Sequence, residues 1–164
     1  MPTEKPIPLA KAYEAYSALA DRRIYELGKG SFGVWSSDRS KAYTVVDEGD
    51  GVYSSNDNAT YWQHYAGYPV LAVLAFKGKI RVDESIFPYF KGIDWKKINQ
   101  SVRNDYGKAI ALAFGKIPDN VRAELAVAAQ RLIDQATGII ASVKGNRAKL
   151  IHASLDWPAT KRKE

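Results

Sequence analysis

The hydrophobic period of the chain changes twice, at Ile24 and again after Asp83, and no fold built from one kind of element accommodates both changes. Leu9, Ala12, Tyr13, Tyr16, Leu19 and Ala20 recur at steps of three and four. That spacing predicts an amphipathic helix ending near Arg22-Arg23, behind an N-terminus held extended by Pro2, Pro6 and Pro8. From Ile24 to Val82 the apolar runs become short and are broken by turn residues. Ile24–Leu27, Phe32–Trp35, Ala42–Val46 and Val52–Ser54 read as strands, with Ser36-Ser37-Asp38 and Glu48-Gly49-Asp50-Gly51 between them. The unbroken apolar stretch Pro69 to Phe76 is expected to be a central strand buried on both faces, and Lys77-Gly78-Lys79 the turn of a hairpin into Ile80–Val82.

After Asp83 the helical period returns. Asp83 to Phe90 suits a short helix, and Asp94 caps another with an apolar side of Trp95, Ile98, Val102 and Tyr106. Beyond Pro118-Asp119, Val121, Leu125, Ala129, Leu132, Ala136 and Ile140 line one face of a long helix, with Arg122, Glu124, Arg131 and Asp134 opposite and Lys144-Gly145 at its expected end. Strands first and helices afterwards predict an α+β fold: one domain over residues 1–156, with an antiparallel sheet over roughly 24–82 and the N-terminal and C-terminal helices packed on one face. Residues 157–164, rich in charge, read as a basic tail.

The stretch ELGKGSFGVW, Glu26 to Trp35, places Gly28, Gly30 and Gly33 at G-x-G-x-x-G spacing. It resembles the glycine-rich loop of protein kinases, Phe32 beneath the turn included, although Trp35 stands where that family has Val. The resemblance implies a hairpin closing over nucleotide phosphates. It ends at Trp35: no V-A-I-K lysine, H-R-D loop or D-F-G ligand follows. Ser36 to Lys41 is turn-like where a dinucleotide fold needs a helix. The glycines are therefore expected to serve a bulged turn.

Composition removes further classes of function. The chain has no Cys, hence no disulfide, thiolate metal site or Cys nucleophile. His64 and His152 lie far apart in sequence, and neither a metal nor a cofactor is expected. Asp47-Glu48 and Asp83-Glu84 are adjacent carboxylates, which extended backbone turns to opposite faces. No apolar run approaches the ~20 residues of a membrane span. Too little apolar sequence precedes Lys11 for a secretory signal, so a cytoplasmic protein without a membrane partner is expected.

Two features remain as candidate sites. The first is YSSNDNATYWQHYAGYP, Tyr53 to Pro69, where Tyr53, Tyr61, Trp62, His64, Tyr65 and Tyr68 cluster behind an Asx-rich turn. Capped by Asp57 or Asn58, a helical turn places Tyr61 and Tyr65 on one face, a platform for stacking a ring. The second is charge. Residues 1–60 carry seven Lys and Arg against nine Asp and Glu, whereas residues 61–164 carry seventeen against nine. Lys96, Lys97 and Arg103, on the helix opened by Asp94, are the candidate anion contacts. The expected function is a small binding module without catalytic activity, its partner a protein or a nucleic acid. The alternative is a small hydrolase using His64 with Asp57, or with Ser54 or Ser55 as nucleophile.

Overall fold

The chain is described by a computed structural model over residues 5–153. The first helix, α1 (Leu9–Ala20), is buried on nearly every side rather than along one stripe. Ala12, Ala15 and Ala18 are fully covered, and their small side chains let neighbouring elements approach from several directions. Tyr13 and Tyr16 fill the space left: the Tyr16 ring stacks on Phe90 at 5.0 Å between centroids, and Tyr13 packs against Phe114 at 5.3 Å. Trp95 Nε1 donates to Ser17 Oγ at 2.7 Å, so a polar residue inside the helix is satisfied.

The strands β1 (Ile24–Gly28), β2 (Ser31–Trp35), β3 (Lys41–Gly49) and β4 (Val52–Ser55) form the antiparallel part of the sheet in that order. Ile24, Phe32, Val34, Val45 and Tyr53 face the helices, while Tyr25, Trp35 and Ala42 form a smaller cluster on the other side. The glycine stretch is a turn, as its context predicts. Gly30, at φ +77°, completes the tight reversal, and the β1–β2 register shifts between Glu26 and Gly28 as a bulge does. Gly33 has a different role: a Cβ there would collide with the Tyr25 ring of the paired strand.

Two expectations about elements are corrected. Tyr68–Phe76 is a helix, α2, and not a central strand. Its apolar run carries no period because the helix is covered all round, with Val70 to Leu74 buried without a break. Pro69 sits in its first turn, where its missing N–H costs nothing. Lys77-Gly78-Lys79 is the end of this helix rather than a hairpin turn. Gly78 adopts φ +75°, and the N–H groups of Lys79 and Gly78 donate to the carbonyls of Leu74 and Ala75 in a Schellman arrangement.

Beyond α2, a 3₁₀ segment Glu84–Phe90, α3 (Trp95–Ser101), α4 (Tyr106–Phe114) and α5 (Asp119–Ile139) complete the helical layer. Asp83, Asp94 and Asp105 each accept a backbone N–H at the start of the element that follows. In α5 the expected division holds along the middle of the helix, where Leu125, Ala129, Leu132 and Ala136 are buried and Glu124, Arg131 and Asp134 exposed; Val121 and Arg122 are both half-buried, and Ile140 lies past the end.

The long helix nevertheless stops at Ile139, before Lys144. Ala141 N donates to Gly51 O at 2.8 Å, and Ser142–Gly145 becomes β5, parallel to β4. Gly51 permits this approach, since a Cβ there would lie 2.9 Å from Ile139 O. A short β6 (Ile151–His152) pairs with the start of β3. The sheet is thus mixed, not wholly antiparallel, and leaves out residues 56–82, within a single α+β domain. No helix among the described residues is long and apolar enough to cross a membrane. The tail over 157–164 lies outside the described residues.

Gly33→Ala is expected to destabilise the fold by about 1–3 kcal/mol, because the Tyr25 ring must move. Gly28→Ala, where a Cβ meets nothing within 4 Å, serves as control. Urea unfolding midpoints compare the two, and equal losses would rule out the Tyr25 contact as the reason for glycine at 33.

Candidate functional site

Residues 56–68 are shaped by short polar side chains bonding to backbone. Asn56 Oδ1 accepts from Thr44 N at 2.8 Å, and Asp57 Oδ2 accepts from Thr60 N at 3.1 Å. Ser55 Oγ donates to Asp57 Oδ1 at 2.5 Å, and Thr60 Oγ1 accepts from Gly67 N at 3.0 Å. These bonds hold one π-helical turn, Ala59–Gln63, which His64 ends in the left-handed region at φ 62°.

That reversal disperses the aromatic cluster. Tyr61 turns toward β5, where it packs against the bare backbone of Gly145. Tyr65 goes inward and is buried, so the two rings do not share a helical face. Trp62 stands 67% exposed, edge-to-face with Tyr61 at 4.7 Å. Tyr53 is buried in the main core and is unavailable to a surface. His64 is exposed and outside the concave region. Asp57 is occupied by Ser55 and Thr60, and Ser54 Oγ donates to Glu48 Oε2 at 2.7 Å. The histidine, aspartate and serines therefore do not form a relay.

What the fold assembles instead is a cleft of about 960 Å³ to which Trp62, Tyr65 and Tyr68 contribute. Its other walls come from distant parts of the chain: Lys11 and Glu14 of α1, Arg23 ahead of β1, Tyr43 of β3, Asn99 of α3 and Tyr106 of α4. The N-terminus of α3 is fastened beside it, with Lys96 N donating to Ser37 Oγ at 3.2 Å. Of the candidate anion contacts, only Lys96 reaches the cleft, paired with Asp38 at 3.7 Å. Lys97 is exposed elsewhere, and Arg103 lies past the end of α3, at φ 53° in the loop before α4. The expected basic stripe on one helix is therefore absent, because that helix ends at Ser101. A second groove, of about 850 Å³, lies between α5 and Arg81–Ile86 and contains none of these residues.

Lys11 and Glu14, both buried, stand 3.7 Å apart, and Asn99 Nδ2 donates to Glu14 Oε2 at 3.3 Å. Burial pushes the Glu14 carboxyl up, against the pull of Lys11 and Asn99. Burial works against the charge on Lys11, yet Glu14, Tyr106 and Tyr65 together outweigh it and raise the ammonium. The Lys11 ammonium also lies 4.7 Å from the Tyr106 ring centroid. Burial pushes the Tyr43 and Tyr65 hydroxyls up to about 12 and raises Tyr68 as well. A cleft with a buried ion pair and several shifted tyrosines presents preorganised polar groups, which makes it the candidate site. Sequence periodicity missed Lys11, Glu14, Arg23, Tyr43, Asn99 and Tyr106. One signal was available: a lysine and a glutamate set three apart inside a helix otherwise rich in alanine and tyrosine. Among the described residues no group of three or more His, Cys, Asp or Glu is placed to hold a metal.

The shifted tyrosines have a pH consequence. An unfolded tyrosine ionises near about 10. The folded chain holds these protons to higher pH, so from about 10 to about 12 the unfolded state binds fewer of them and stability falls as pH rises. Absorbance at 295 nm, followed beside urea midpoints, is expected to show late-titrating tyrosines and this alkaline loss. Complete ionisation near 10 with the fold intact would contradict it.

No curated protein and no solved structure matches the chain. One family model does, over residues 4–142, a span that includes every cleft-lining residue. The chain accordingly belongs to the family described as Uncharacterised conserved protein UCP014422.

Proposed function

We propose that the protein is a cytoplasmic binding module that receives a planar ring in the cleft beside Tyr65 and Tyr68, without catalysis of its own. The observation that carries this reading is Trp62, a large aromatic left 67% exposed at a cleft whose walls include Tyr43, Tyr65, Tyr68 and Tyr106. A water-facing indole beside a concave wall of rings suits stacking against a ligand ring, whether a nucleobase or an aromatic side chain of a partner protein. Ser54, Ser55 and Asp57 spend their hydrogen bonds on the fold, which favours a receptor over a reaction centre. A chain without Cys suits a reducing compartment.

Two-dimensional amide NMR tests the reading with N-acetyl-tyrosinamide, adenosine and a single-stranded oligonucleotide as probes. A ring-bearing probe is expected to shift amides of residues 57–68 and of α3, and Trp62→Ala is expected to weaken that binding by about 1–3 kcal/mol. Binding through a nucleic acid would also weaken steeply as salt is raised. If no ring-bearing probe, neutral or charged, moves these amides, the reading is wrong.

A further inference from the structure

Arg23 is the least ordinary charge in the molecule. Its side chain is 1% exposed, yet Nη1, donating to Trp35 O at 2.9 Å, makes its one hydrogen bond among the described residues. Nη2 is buried without a partner. Nε has Asp21 Oδ2 at 3.4 Å but no hydrogen bond, and the other oxygen of that carboxylate accepts from Gly92 N at 2.8 Å. A guanidinium offers five N–H donors and keeps its charge at any pH a protein survives, so idle donors in a desolvated arginine are costly. The guanidinium carbon stands 5.8 Å from the Tyr68 ring centroid, and both residues line the cleft. Asn99 Oδ1, on α3, is also buried without a partner, and Asn99 lines the same cleft.

Charge in the cleft points the same way. Lys11, Arg23, Lys41 and Lys96 line it against Glu14 and Asp57. Glu14 is matched by Lys11, and Asp57 by the donors of Ser55 and Thr60. Lys96 pairs with Asp38, and Arg23 Nε lies 3.4 Å from Asp21, so among the described residues Lys41 is left without an acidic partner and Arg23 Nη2 without an acceptor. We infer that the ligand of this cleft carries an oxyanion, a carboxylate or a phosphate, which takes the idle guanidinium donor of Arg23 while its ring lies among the tyrosines. The inference rests on the cleft reading above and assigns it a ligand class: a small ring-bearing acid. The Asn99 carbonyl is the acceptor for a hydroxyl or N–H on the same ligand.

Four probes on the wild-type protein separate the possibilities: 4-hydroxyphenylacetate, its uncharged amide, phenyl phosphate and inorganic phosphate. The acid or the phenyl phosphate is expected to bind about tenfold or more tighter than the amide, as suits a charge-assisted bond to arginine. The tighter of the two assigns carboxylate or phosphate. Bound acid should also shift the Arg23 Nε–H signal, and Arg23→Lys should lose affinity for the acid while leaving the amide's unchanged. Because Arg23 also holds Trp35 O, that variant is informative only if it folds; otherwise the wild-type Nε–H signal decides. Equal binding of acid and amide, or an acid that shifts surface lysines and leaves Arg23 unmoved, overturns the anion anchor and leaves the ring reading standing. Inorganic phosphate shifting Arg23 with no ring probe bound keeps the anchor and removes the ring reading. No binding by any probe removes both.

Discussion

The structure depends on α1 being enclosed. A helix that touches α2, α4, α5 and the 3₁₀ segment needs small residues where backbones come close, and Ala12, Ala15 and Ala18 supply them. It also needs a partner for every polar group it carries inward. Ser17 finds Trp95, Glu14 finds Lys11 and Asn99, and Asp21 just past its end finds Gly92 N. These contacts draw α3 and the loop before it against one end of the helix. The cleft is what remains between that end, the sheet and the turn of residues 59–63.

The cleft joins two kinds of surface that compete elsewhere in the molecule. Tyrosines give it apolar walls with polar tips, and the buried charges of Lys11, Glu14 and Arg23 give it a field that water does not screen. Burying Glu14 disfavours its ionised form, and its neighbours offset part of that cost. Arg23 is less well provided for, which sets it apart from the Lys11–Glu14 pair. Holding a charge this way comes at some expense to stability.

Much of the fold was legible where local chemistry decides. Gly30 in the turn, Asp94 at a helix start and the alternating faces of α5 act within a few residues of themselves, and each was readable. The site was only half legible. Trp62, Tyr65 and Tyr68 belong to one short segment, and their clustering was plain. Their division was not, because it turns on His64 entering the left-handed region and on Gly145 standing opposite Tyr61. Of the cleft's charged and polar half only Lys96 and the spacing of Lys11 and Glu14 left a trace, since Lys11, Arg23, Asn99 and Tyr106 approach one another only when separate elements pack.

By itself the sequence determined the α+β class, the first four strands, the cap at Asp94, the glycine turn and the absence of thiol chemistry. Each of these follows from a backbone preference or a side-chain inventory that no partner alters. Tertiary structure decided the state of Tyr68–Phe76, the passage of Ser142–Gly145 from an expected helix into a parallel strand, and the assembly of the cleft. An apolar run without a period satisfies a buried helix and a buried strand equally. The choice between them belongs to the surfaces that cover it: α1 and the sheet here enclose a helix, and the open edge of β4 takes up residues 142–145 as a strand.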